Sequence, residues 1–232
     1  MPKKKRYSTI CYIKKIIDIV IELCYNLVRK VVFVLKALNN LPENYTEYFS
    51  VNLLKNKKQA TVMYIVSIAV ALVMFFAAHF AIPFSTLIDE ENLFKNAIKF
   101  GVLAVGSIAY IILHEAVHGI AMKICGTKKI KYGFVGTAAY AGSDDYYDKK
   151  AYIFIALAPV VLWGIVLAII NFVVPREWFW VVYIIQITNM SGAAGDLYVT
   201  FKFLGFPKDI LVRDSGTAMK VYSASGAEMP KK

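Results

Sequence analysis

Residues 61–82, TVMYIVSIAVALVMFFAAHFAI, contain no Lys, Arg, Asp or Glu. At about 1.5 Å of rise per residue, a helix of this length reaches about 33 Å, enough to cross a hydrocarbon core of about 30 Å. Three further apolar runs follow, at about 98–125, 151–174 and 178–204. The second and fourth carry polar groups inside the run, and those groups bear on function.

This pattern predicts an all-α integral membrane protein of about four transmembrane helices. The composition agrees: 58% of residues are hydrophobic and 19% charged, outside the soluble norm of about half and a quarter. A disordered chain is excluded, and an ordinary soluble enzyme is a poor fit. The net charge of +11 would suggest nucleic acid in a soluble basic domain, but no such domain or motif is present, so the expected partner is the lipid bilayer. Cys11, Cys24 and Cys125 have no C-x-x-C spacing and read as small hydrophobes.

Residues 10–38 are also apolar, but Lys14, Lys15, Asp18, Glu22, Arg29 and Lys30 interrupt them. Each charge at mid-span would cost about 2.5–3.5 kcal/mol. Lys14, Asp18, Glu22 and Asn26 recur every four residues as one polar stripe, which predicts an N-terminal amphipathic helix at the interface or docked on the spans. MPKKKR has no clean apolar core or cleavage site after it and reads as a basic tail near anionic lipid. The expected organisation is a basic N-terminal region over 1–60, a membrane domain over 61–204 and a cytoplasmic tail over 205–232. Of the 27 Lys and Arg residues, 24 fall in segments on one side of the expected spans, which puts both termini in the cytoplasm of a multi-pass protein of the cell membrane.

The second run contains His114-Glu115-Ala116-Val117-His118-Gly119, an H-E-x-x-H motif. Histidines at i and i+4 share a helix face about 6 Å apart, so both can bind one Zn2+ while Glu115 reaches a water there. With 3 His and 8 Glu in the chain, chance supplies the motif about once in a thousand such sequences.

A catalytic zinc normally has three protein ligands. Measured along their spans, His114 and His118 lie about 24–30 Å from the outer side and Asp196 about 27 Å, so Asp196 is the expected third ligand. His79, near the outer end of the first run, lies about 20 Å too far away to join them. The acidic loop residues Asp144, Asp145 and Asp148 are a rival source of ligands. Asn189 shares a helix face with Gly192 and Asp196 and has two open roles: holding an extended substrate by its amide, or an inter-helix hydrogen bond. Residues 126–142, rich in Gly, Tyr and Thr, predict a short hairpin-like cytoplasmic loop that could align a substrate by strand addition. Ala158-Pro159 should bend the third run, either for packing or to open a path.

The order HEAVHG, hairpin, Ala158-Pro159, then Asn189 and Gly195-Asp196 resembles a bacterial membrane family described as zincin peptidases, of uncharacterised function. In layout it is similar to the core of site-2 intramembrane metalloproteases. The resemblance spans roughly Lys99 to Val221 and includes Phe206-Pro207-Lys208-Asp209 and Asp214-Ser215-Gly216. It implies that His114, His118 and Asp196 are zinc ligands and that Glu115 is the catalytic glutamate. Val117 and Ala158 stand where site-2 proteases typically carry glycine, and Asp196 follows a glycine rather than preceding one.

The expected function is a membrane-embedded zinc metallopeptidase acting on membrane-protein or peptide substrates. The alternatives are a non-catalytic scaffold with a structural metal and a metal transporter.

Overall fold

The charge-free run forms helix α1, Lys57–Ala81. Helix α2, Leu93–Ile124, starts at Asn92, whose side chain accepts from the Lys95 N–H. Helix α3, Lys149–Val173, starts at Asp148, which accepts from the Ala151 N–H. Such caps satisfy donors that the first helical turn leaves open. All three helices are long and apolar enough to cross a membrane by length and composition.

These observations come from a computed structural model that describes residues 35, 37–51, 57–135, 138–216 and 218–224. The chain divides into two compact units, Met1–Lys36 and Ala37–Lys232. The expected N-terminal amphipathic helix lies almost wholly outside the described residues.

The fourth apolar run is not one helix. It forms α4, Phe179–Gly192, and α5, Ala194–Leu204, which meet at Ala193. The break falls in Gly192-Ala193-Ala194-Gly195, which has little side-chain packing to hold a helix and two glycines that weaken it. The Thr188 and Ser191 hydroxyls donate to the carbonyls four residues back, a habit that bends helices.

The expectation of an all-α fold is overturned more fundamentally by a five-stranded antiparallel sheet. Its strands are β1, Ala37–Leu38; β2, Thr46–Val51; β5, Tyr146–Asp148; β6, Leu211–Asp214; and β7, Met219–Ser223. They pair in the order β1-β5-β6-β7-β2. A separate two-stranded hairpin joins β3, Lys131–Val135, to β4, Ala138–Gly142. The architecture is therefore mixed α/β.

The sheet strands are short and, apart from β6 and β7, pair across long sequence separations, so the period-2 signal is weak where it occurs. In β7, Met219, Val221 and Ser223 are buried while Lys220 is exposed. The β6–β7 turn closes through Ser215 N–H to the Ala218 carbonyl, with Gly216 at φ 84°. That is the left-handed region, which glycine enters without a Cβ penalty.

The sheet draws together segments before α1, between α2 and α3, and after α5. Lys149 Nζ, at the start of α3, donates to the Phe206 carbonyl at 2.8 Å and so ties that start to the exit of α5. At the opposite end of the helices, Trp180 packs with Ala78, Leu87 and Val181, and its Nε1 donates to the Ile82 carbonyl. Between the two ends, Tyr110, Leu167 and Ile185 join α2, α3 and α4.

Candidate metal centre

Helix periodicity sets the first half of the site. His114 and His118 project from the same face of α2, with ring centroids 5.0 Å apart, and the residues are buried at 9% and 8% exposure. Their nitrogens and a Glu115 oxygen lie within 4.8 Å of one another. The break at Ala193 sets the second half, because it starts α5 where Asp196 falls in the first turn, a position favourable to negative charge. Asp196 Oδ2 stands 3.5 Å from His114 Nε2, and Oδ1 stands 3.5 Å from His118 Nε2.

Hydrogen bonds on the far side of each ring define which nitrogen faces Asp196. His118 Nδ1 lies 2.9 Å from the Ile155 carbonyl, which can only accept, so Nδ1 carries the proton. For His114 the logic runs through a relay. Asn189 Nδ2 donates to the Val160 carbonyl, which leaves its Oδ1 to accept from the Tyr110 hydroxyl, and the Tyr110 oxygen accepts from His114 Nδ1.

In the neutral form, both Nε2 lone pairs therefore converge on two carboxylate oxygens. Acceptors facing acceptors need a positive charge between them, supplied either by protonated imidazoles in ion pairs with Asp196 or by a bound cation. Two ligands bound to one ion at about 2.0–2.2 Å with tetrahedral angles stand about 3.4 Å apart, close to the spacing observed. His114, His118 and Asp196 thus offer donors at a spacing that could hold one metal ion, with Glu115 beside them.

A cavity of about 460 Å³ opens onto this cluster. Glu115 lines it, and the backbone of Ala141 in β4 faces the Glu115 carboxylate. The hairpin reaches the site because Gly119 leaves room for it. A Cβ there would lie 1.8 Å from the Tyr132 hydroxyl. On the neighbouring rung of the hairpin, a Cβ on Gly216 would lie 2.0 Å from the Tyr140 ring.

Asp214 and Tyr152 complete the wall on the side of the sheet. The Tyr152 hydroxyl and the Gly216 N–H donate to Asp214. Burial pushes the Asp214 carboxyl up, and the Tyr152 hydrogen bond works against that.

The remaining candidates lie elsewhere. His79 Nδ1 accepts from the Phe84 N–H at the end of α1. Asp148 caps α3. Asp144 is exposed and pairs with Lys131 at 2.5 Å and Arg213 at 2.8 Å, and first the Lys131 hydrogen bond, then Arg213, hold its carboxyl down at about 2. Asn189 is fully buried and makes an inter-helix hydrogen bond to the Val160 carbonyl. Cys125 is free and buried. Sequence reasoning missed Tyr110 and Tyr152. Tyr110 had a signal, since it precedes His114 by one helical repeat of four and so shares its face. Tyr152 had none.

Residues 107–211 match the protein family described as "Putative zincin peptidase". That stretch contains the H-E-x-x-H motif, Pro159, Asn189 and Asp196. The chain is also 34% identical over 129 residues to an uncharacterised 24.7 kDa protein of Pyrococcus woesei, a match covering 53% of this chain and 54% of that one. It thus spans about half the length of this curated relative. No solved structure matches the chain.

Proposed function

We propose that this chain is a membrane-embedded zinc metallopeptidase that cleaves protein segments within or beside the bilayer. The observation that carries the reading is the Asp196 carboxylate facing both motif histidines in a cavity that Glu115 also lines.

His114, His118 and Asp196 would hold the zinc, which when bound supplies Lewis acidity to a water and a substrate carbonyl. Glu115 takes the proton from the attacking water and returns it to the leaving amine. His114 and His118 are themselves buried, which strengthens the charge interactions they make. With the Ala141 backbone turned toward Glu115, the outer edge of β4 offers main-chain groups to an extended substrate. Asn189 and Tyr110 act behind His114 by holding its ring.

Membrane insertion is supported by α1, whose Tyr64, Val73 and Phe80 are exposed at 69%, 70% and 85%. An apolar surface of that extent suits lipid better than water. The basic segments that the charge count places together are also those that pair in one sheet. This supports a cytoplasmic sheet from which α1 and α3 depart and to which α2 and the α4–α5 pair return.

The test is Glu115→Gln. The variant should retain one zinc per chain and lose proteolysis, and the membrane proteome of its cells should accumulate an uncleaved precursor. Unchanged fragment patterns would favour a scaffold, and zinc flux without cleavage a transporter. Purified protein without zinc sinks the reading altogether.

A further inference from the structure

Helix α3 runs unbroken through Pro159, which is fully buried. In a regular helix the N–H of residue 159 would donate to the carbonyl of Ile155. Proline has no N–H, so that bond cannot form. The Ile155 carbonyl is the group that accepts from His118 Nδ1 at 2.9 Å. One residue beyond the proline, the Val160 carbonyl accepts from Asn189, the anchor of the relay to His114. Both motif histidines are thus oriented from α3 by carbonyls on either side of one proline.

We propose that Pro159 is a positioning residue of the metal centre. By withholding a helical donor, it reserves the Ile155 carbonyl for His118 and so holds Nε2 toward Asp196. A carbonyl that receives a helical N–H is drawn along the helix axis and shares its lone pairs. One relieved of that donor is free to lean toward the neighbouring helix. The bend expected from the sequence is then secondary, and the missing proton is the functional feature. The proposal rests on the reading of His118 as a ligand, but its structural half is measurable without metal.

The experiment uses the full chain in nanodiscs and compares three forms. These are the parent, Pro159→Ala, and a form with lactic acid at position 159, which has the shape of alanine but an ester oxygen in place of the N–H. In the metal-free parent, 1H–15N spectra should show a strongly hydrogen-bonded Nδ1–H on His118. Pro159→Ala should weaken the hydrogen bond from His118 Nδ1–H to the Ile155 carbonyl, read as an upfield shift of that proton, and the ester form should return to the parent pattern. By chelator competition, Pro159→Ala should bind zinc about tenfold more weakly and the ester form within about threefold of the parent, as befits an outer-shell partner.

A parent-like Nδ1–H shift and affinity in Pro159→Ala overturn the proposal. Equal loss in the alanine and ester forms, including failure of both to fold, makes Pro159 a packing residue and overturns it too. A parent that binds no zinc but shows the expected series of Nδ1–H shifts defeats the peptidase reading and leaves the positioning of His118 intact.

Discussion

Asp196 Oδ1 stands 3.5 Å from His118 Nε2, and the other oxygen of the same carboxylate stands 3.5 Å from His114 Nε2. One short side chain thus addresses both rings at once, which it does from the first turn of a helix that begins only because the fourth apolar run breaks.

Asp196→Ala should remove a ligand while sparing the α2 motif. Zinc affinity is expected to fall by more than the roughly 10–100-fold loss typical of an outer-shell change. Titrated zinc should raise the thermal midpoint of the parent, with about 2.7 kcal/mol of stabilisation at a hundred times Kd, and should do so far less in the variant. Equal zinc-dependent shifts in the two proteins would contradict the assignment.

Tyr110→Phe and Asn189→Ala interrupt the same relay, so their effects should not add. Each is expected to weaken zinc binding about 10–100-fold, and a double-mutant cycle should yield a coupling of about 0.5–3 kcal/mol. Asn189→Ala should also lower thermal stability by about 0.5–1.5 kcal/mol for each of its two lost hydrogen bonds, to the Val160 carbonyl and from the Tyr110 hydroxyl. Additive losses would separate the two residues.

Gly216→Ala should destabilise the sheet side of the site. The left-handed backbone and the Tyr140 ring both oppose a Cβ there, at a cost of about 1–3 kcal/mol for the backbone alone. Hydrogen exchange should quicken in β4 and β6 and stay unchanged in α1. Protection equal to the parent in all three elements would refute this.

The ion cluster of Asp144 with Lys131 and Arg213 fastens the hairpin to β6. Its carboxyl is depressed in the fold to about 2, below the ordinary 3.8. Its contribution is therefore complete above about pH 4 and is lost as the pH falls through about 2. The pairs are exposed and worth little to global stability. Asp144→Asn, or high salt at neutral pH, should speed proteolysis near Lys128 and Lys129 while moving the thermal midpoint little. Cleavage unaffected by either would show that other contacts hold the hairpin.

The sequence by itself determined the apolar helices α1 to α3, the hairpin, and the spacing of His114, Glu115 and His118. All of these are local. A period of 3.6 or 2 is written in neighbouring residues, and a helix face follows from it without knowledge of what packs there. The matching depths of Asp196 and the histidines could also be counted along the chain, but only on the assumption of an unbroken fourth helix.

Only the tertiary structure decided the rest. The sheet joins residues 46–51 to 219–223, and no local pattern records which distant strand supplies a hydrogen-bonding edge. The break at Ala193 aims Asp196, and the orientation of each imidazole depends on carbonyls of another helix. The tautomer of a histidine is set by whatever faces its second nitrogen, and here that is a backbone group beside Pro159. Chemistry that depends on such contacts becomes legible only once the chain has brought them together.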